Sequence, residues 1–459
     1  MLTAIATTFG NCFKIPELKS RILFTLVILC ICRVIAVIPI PGLDATGLRA
    51  FIDSNRNAGD GLLGMYSLFT GGALEKCAVG SLGIMPYISA TIIIQLLTAV
   101  IPTLAKLARE EGGRVKIVQY GRYLTLLLCL GQGFVMALGW EHPDKIFPGF
   151  PGRLVVAEHV WWYRLNTLVI LTTGTMLLMW LGEQITERGI GNGVSLVITV
   201  GILARLPQAM HSLYLGFFPP TGDEGRRLNL FHAAALVLLL GAVVAAVIAV
   251  TQAQRKVPVQ HAQRAVGRKV YAGGTSFMPL RVNYAGVMPI IFAQAILMFP
   301  EKIFSTLGAA LDVKLFNELA KLLTHGSVLY LSLFGLMILF FSYFWVATQF
   351  NELQIADDLK KSGGYIPGVR PGQETSKFLH KTMSRITLAG AVFLTIIAII
   401  PDLMNRAMGL DFSVSTFFGG TSMLITVGVL LDTMRQMETH LLMRHYDGFL
   451  KKGKIRGRG

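Results

Sequence analysis

Apolar residues gather into ten long runs, at 22–40, 78–101, 117–139, 162–182, 190–211, 229–253, 284–304, 327–349, 386–404 and 416–434. Each is about twenty residues long, which is what an α-helix needs to cross a hydrocarbon core of about 30 Å. The predicted fold is an all-α polytopic membrane protein with ten transmembrane helices. A further apolar piece, residues 62–74, holds thirteen uncharged residues, too few to span, and reads as re-entrant or buried. Gly71 and Gly72 loosen its end, and Glu75 and Lys76 separate it from the second run. Such short, Gly-interrupted segments survive at membrane depth only when packed in protein or lining a watery cavity. Within the second run, Pro86 predicts a kink. Ile84 and Ile88 lie one turn apart, and Gln95 returns to within roughly 20° of Ile84 at about 3.6 residues per turn. A polar side chain on the same stripe turns that stripe inward, away from lipid. The pattern suggests a pathway.

Ten spans divide into two groups of five, and an odd number per half forces the halves into opposite orientation, as in an inverted repeat. The expected division is a tail at 1–21, an N-terminal half at 22–211, an external hinge loop at 212–228, a C-terminal half at 229–434 and a basic tail at 435–459. Two loops exceed what a connector needs. Residues 254–283 hold Arg255, Lys256, Arg264, Arg268, Lys269 and Arg281 and no acid. Their β-branched stretches and Gly273-Gly274 predict a protruding hairpin with its turn at the glycines. Residues 351–385 begin as a helix through Lys361, stop at Gly363-Gly364, pass through IPGVRPG and restart near Glu374. Arg370 stands between two Pro-Gly corners of that loop. At the junction of spans four and five, GEQITERGIGNGVS (182–195) predicts a compact helix–turn–helix, with Gly189 and Gly191 ending one helix and Asn192 capping the next.

Composition sharpens this picture. Of 459 residues 53% are hydrophobic and 15% charged, too little polar surface for a soluble globule. The net charge of +16 must concentrate in loops. Lys and Arg favour one side of the membrane by about two to one, which places both termini in the cytoplasm. The first apolar run is not followed by a small-residue cleavage pattern, so a cleavable signal peptide is not expected. Five scattered cysteines, several within apolar runs, read as small core residues.

Catalytic chemistry finds no support. No Gly-rich sequence ends in Gly-Lys-Ser/Thr, the glycines of 189–193 do not follow a strand, and His440 and His445 lack ligand spacing. The chain is not expected to be an enzyme or to hold a cofactor. Glu183, Asp402 and Asp432 fall near span ends, so the intramembrane acid of an ion-coupled carrier is missing. A channel is therefore favoured over the alternative, a ten-span secondary transporter with inverted repeats. Arg33, within the first span, is read as snorkelling or internally paired.

Several blocks carry a resemblance to a known family. GGAL (71–74), GIMPYISATIIIQLL (83–97), GTMLLMWLGEQITERGIGNGVS (174–195), VNYAGVMPIIFAQ (282–294), IPGVRPG (366–372) and LLMRHYDGFLKK (441–452) closely resemble the SecY family. That family supplies the central subunit of the bacterial protein-conducting channel, and the match runs in order along essentially the whole chain. The resemblance implies two inverted five-helix halves around a central hourglass pore. It implies a waist ring at Ile84, Ile88, Ile190, Val194, Ile291 and Ile425, with Val194 standing where some relatives have isoleucine. The short piece matches a plug, with Leu62, Leu63, Met65, Tyr66, Leu68, Phe69, Gly71 and Gly72. Spans two and seven match a lateral gate, with Ser89, Gln95 and Phe299 as candidate positions. Arg255, Lys256, Arg264, Arg268, Lys269 and Arg370 match a docking surface for the ribosome, through its RNA, and for the SecA motor. Implied partners are also the small subunits SecE and SecG, signal sequences, nascent chains and membrane lipid, with residence in the bacterial inner membrane. Loops 141–160 and 212–230 match no family block.

Overall fold

The computed structural model describes residues 15–48, 67, 69–110, 112–143, 152–156, 159–218, 229–261, 264–266, 269–271, 274–311, 314–323, 327–408, 414, 417 and 421–452. Two compact units emerge. One comprises Met1–Arg226, Asp411–Val414 and Ile425–Gly459, and the other Arg227–Leu410 and Ser415–Leu424.

The first unit holds α1 (Pro16–Ile35), α2 (Met85–Val100), α3 (Pro102–Arg109), α4 (Gly113–Glu141), α5 (Val160–Arg188), α6 (Gly193–Leu203), α7 (Leu206–Phe217) and most of α14 (Thr421–Lys452). Helix α5 packs on α1, α4 and α6, and α2 lies against α4. A core of Ile40, Leu74, Cys77, Leu82, Met136, Trp140, Leu154 and Leu171 joins the segment before α2 to α4 and α5. Cys32, Cys77 and Cys129 are buried and unpaired, as small core residues should be, while Cys30 is exposed.

The second unit holds α8 (Leu230–Gln252), strands β1 (Gln254–His261), β2 (Arg264–Val266), β3 (Lys269–Tyr271) and β4 (Thr275–Arg281), then α9 (Met288–Leu311), α10 (Lys314–Leu323), α11 (Val328–Gln349), α12 (Glu352–Lys361), β5 (Gly364–Tyr365) and α13 (Gln373–Met408). Polar side chains start the helices where the chain leaves a loop. Ser327 Oγ accepts the Tyr330 amide at 3.0 Å, Asn351 Oδ1 accepts that of Gln354 at 3.2 Å, and Asn229 and His232 form a reciprocal capping box on α8.

Helices occupy all ten predicted span positions, but the spans are not uniform. Among the described residues six helices are long and apolar enough to cross a membrane, or seven if α2 and α3 count as one broken span bent by 105°. One expectation is corrected. Pro86 does not kink the second span: α2 begins at Met85, so Pro86 lies in its first turn, where a missing amide costs no helical bond. The fifth span runs as one apolar stretch from Gly193 to Phe217, in which α6 gives way to α7 through a turn at Ala204-Arg205 with Pro207 in the first turn of α7.

The predicted hairpin is present. β1 pairs antiparallel with β4 from Gln254↔Arg281 to Gln260↔Thr275. Within it β2 and β3 pair from Arg264↔Tyr271 to Val266↔Lys269, and Gly273 of the expected Gly273-Gly274 turn lies outside the described residues. The following loop behaves as read: α12 ends at Lys361 and α13 begins at Gln373. β5 adds an unforeseen link, pairing with β1 at Gln260↔Tyr365.

Close backbone approach explains one glycine of the junction motif. A Cβ on Gly193 would lie 1.8 Å from the Gly182 carbonyl oxygen, whereas one on Gly182 would meet nothing nearer than 3.6 Å. Gly193→Ala is therefore expected to destabilise the fold by about 1–3 kcal/mol through overpacking, while Gly182→Ala is tolerated. Thermal midpoints of the two purified variants check the contrast; equal midpoints would contradict it.

Candidate functional site

The turn between α5 and α6 is bolted from three directions. α5 stops at Arg188, and Gly191 adopts φ +90°, open to glycine and strained for other residues. The amide of Ile190 donates to Thr25 Oγ1 on α1 at 3.1 Å. That of Gly191 donates to Gln436 Oε1 on α14 at 2.8 Å. Gly193 donates to Thr186 Oγ1 on α5 at 2.9 Å, and Asn192 caps α6 by accepting the Ser195 amide at 3.2 Å. The Asn192 cap was legible in the sequence. Thr25 and Gln436 were not, since each is a common residue type far away along the chain.

This turn organises part of the expected ring. Ile84 is the N-cap of α2, and the Ile88 amide donates to its carbonyl at 3.2 Å, so the two isoleucines rise one turn apart, both buried. The space at Gly182 brings Ile84 and Val194 together: a Cβ there would lie 3.7 Å from Ile84 Cδ1 and 3.6 Å from the Val194 amide. Ile190 goes elsewhere, into a cluster with Leu18, Ile22, Met437 and Leu441. Ile425 on α14 and, in the second unit, Ile291 on α9 are both buried.

Of the short apolar segment, Leu62, Leu63, Met65, Tyr66 and Leu68 lie outside the described residues, while Phe69, Gly71 and Gly72 are buried. Gly71 and Gly72 turn the chain with φ +64° and +82°. Arg33 is internally paired: its Nη2 donates to the Gly71 carbonyl at 3.2 Å. Ser89 is buried with its hydroxyl donating to the Met85 carbonyl at 3.0 Å, and Gln95 is half-buried. The Phe299 side chain lies outside the described residues. Arg122 on α4 and Glu183 on α5 form a bidentate ion pair at 3.2 and 2.7 Å.

In the second unit the hairpin is anchored by its apolar face. Val257 and Leu280 pack with Val346, Phe350, Ile366, Leu379 and Met383, which ties β1 and β4 to α11 and α13. Arg255 and Lys256 remain exposed on the strand. Arg264 and Lys269 fall on β2 and β3 with side chains outside the described set, and Arg268 lies outside it altogether. Arg370 is exposed on a backbone held from below: its carbonyl accepts Thr375 Oγ1 at 2.9 Å, and the Val369 amide donates to Ile366 at 3.1 Å. Nearby, His380 Nδ1 and Glu352 Oε1 stand 2.8 Å apart, linking α13 to α12.

A family model described as SecY matches residues 78–434. The protein translocase subunit SecY of Chlamydia trachomatis is 42% identical over 98% of this chain and 99% of its own length. The chain belongs to the SecY family. The fold agrees with solved structures at 16% identity. One described as a protein conducting channel has TM-score 0.58, with 94% of this chain and 96% of that chain covered. Another, Sec61 in the canine ribosome-channel complex, has TM-score 0.54 at the same coverage. Both share the helical architecture of SecY and Sec61 channels.

In this member of the SecY family, Thr25 and Gln436 hold the GIGNG turn from α1 and α14 without any local signal in the sequence. Thr25→Val keeps the shape but leaves the buried Ile190 amide without its acceptor, a change expected to cost about 1–3 kcal/mol. Chemical denaturation in detergent measures the loss, and faster amide exchange at 189–193 localises it. An unchanged midpoint would mean that another group takes over the amide.

Proposed function

We propose that this chain is the central channel subunit of a protein translocase, passing unfolded polypeptides across a membrane and releasing transmembrane segments sideways into lipid. The observation that carries this reading is the near-full-length similarity to translocase subunits. That similarity also sets aside the ten-span secondary transporter. In this reading the ten helical segments form two inverted halves around an hourglass pore in the bacterial inner membrane, with both termini cytoplasmic.

The physical demand on such a pore is a seal. Moving one charge through the membrane field is worth about 2.3 kcal/mol per 100 mV, so a leak dissipates the gradient. Fixed polar groups at the waist would hold water and bind the passing chain. Aliphatic side chains do neither, so Ile84, Ile88, Val194, Ile291 and Ile425 act as a gasket that dewets when empty, while Ile190 packs with Leu18 beside it. Residues 62–74 act as the plug, and Ser89, Gln95 and Phe299 line the lateral gate between the second and seventh spans. Separation of those spans opens the gate, and the bend after α2 is one place where the chain can yield.

The driving energy comes from partners. Arg255, Lys256 and Arg370 present positive charge on braced loops, suited with Arg264, Arg268 and Lys269 to ribosomal RNA and to an acidic protein surface. We assign these loops to the ribosome and to SecA. SecE and SecG complete the complex.

Conductance of the reconstituted complex separates waist from docking surface. Ile88→Gly combined with Ile291→Gly should leak ions at rest, while Arg370→Glu keeps the seal and abolishes SecA-driven export. An arrested nascent chain should crosslink at residue 88 or 291. A complex that moved a small solute and never held a polypeptide at those sites would refute the channel.

A further inference from the structure

Two ion pairs of one kind tie α4 to α5, with the charges exchanged between them. At one end Arg164 on α5 donates through Nε and Nη2 to Glu141 on α4 at 2.6 and 2.8 Å. At the other end Arg122 on α4 grips Glu183 on α5 through the same two nitrogens. Nineteen residues separate Arg122 from Glu141 on α4, and nineteen separate Arg164 from Glu183 on α5. At about 1.5 Å per residue the two rungs stand about 28 Å apart, close to the hydrocarbon thickness of about 30 Å. Neither helix carries a charged residue between its rungs. Tryptophan marks the same two levels. Three of the five tryptophans in the chain lie on α5, and Trp161, Trp162 and Trp180 are 78%, 69% and 53% exposed. Trp162 and Trp180 are eighteen residues apart, five turns at about 3.6 residues each, so they share one face about 27 Å long. Leu165, Val169 and Leu177 continue that face and are exposed as well. Another face of α5 is packed: Tyr163 is buried, its hydroxyl donating to the Ala137 carbonyl at 3.4 Å. Trp161 is tied to its rung, with the Arg164 guanidinium 5.2 Å from the ring centroid.

We propose that the bare face of α5 is a lipid contact of fixed length, with tryptophans in both interfacial zones and aliphatic side chains in the hydrocarbon between. An indole has an apolar body and one N–H that needs a partner, which suits the boundary better than either side of it. A membrane helix docking here would call for small residues that let backbones approach, and the stripe offers leucine, valine and tryptophan. Each arginine of the rungs already holds a carboxylate with two nitrogens, so the contact needs no anionic headgroup. Neutral phospholipid suffices. The rungs stop α4 and α5 from sliding past one another, so a bilayer of the wrong thickness tilts them together. α5 passes that tilt to the turn at 189–193, where Thr25 and Gln436 hold the Ile190 and Gly191 amides. The first unit thus carries its own gauge of bilayer thickness. The assignment depends on α5 crossing the membrane and holds whatever passes through the channel.

The test places the complete complex in phosphatidylcholine vesicles and reads tryptophan quenching by lipids brominated near the headgroup or near the chain end. Subtracting Trp161→Phe/Trp162→Phe from the parent isolates one end of the stripe, and subtracting Trp180→Phe isolates the other. Both signals should be quenched at least about threefold more by the shallow bromines than by the deep ones. Added phosphatidylglycerol should leave both signals unchanged. Amide exchange at 189–193 is then followed across phosphatidylcholines of short, medium and long acyl chains. The parent should exchange slowest in the bilayer nearest the stripe in thickness, and at least about threefold faster in thinner or thicker ones. Trp162→Ala combined with Trp180→Ala should flatten that dependence. Signals that bromine at neither depth quenches would mean that protein covers the face, and would overturn the lipid contact. Equal quenching by shallow and deep bromines, or a response to phosphatidylglycerol, would overturn the neutral interfacial anchor. A thickness dependence that survives the paired alanines would overturn the gauge.

Discussion

An amide or a guanidinium set among apolar helices has no water to fall back on, and this constraint organises the first unit. The turn at 189–193 cannot leave its donors bare, so it draws Thr25 from α1, Thr186 from α5 and Gln436 from α14 to one place. Those bonds are short in reach and directional. They fix where α6 begins, and with it the position of Val194 relative to Ile84. The apolar contact of Ile84 and α6 with Gly182 depends on polar bolts close by.

The same constraint acts differently in the second unit. There the basic hairpin projects from the helices, and its charges can remain in water. What must be satisfied is the apolar face of β1 and β4, which packs on α11 and α13. β5 braces the hairpin against the loop that carries Arg370. Two charged loops that look separate along the chain thus share one foundation.

Glycine and proline divide the work of shaping the chain. Pro86 and Pro207 start helices whose predecessors stop, and Pro102 follows the bend after α2. Gly193 lets α6 approach α5 at backbone distance, and Gly71 leaves room for a guanidinium that any side chain would displace.

Periodicity, run length and charge placement already determined the helical membrane class, the span positions, the hairpin and the Asn192 cap. These are local properties: hydropathy over twenty residues, a turn's need for glycine, a side chain reaching three residues ahead. The sequence also determined the family, because its blocks are long enough to be specific. What only the tertiary structure decided is long-range. Pro86 sits at a helix start because the chain before it is held as turns by Ser81 and the glycines. Ile190 turns toward Leu18 and not toward Ile84 because the bolted turn aims it there. Arg33 and Arg205, separated by more than a hundred residues, meet one short segment because burial leaves each charge to find a partner wherever the fold offers one.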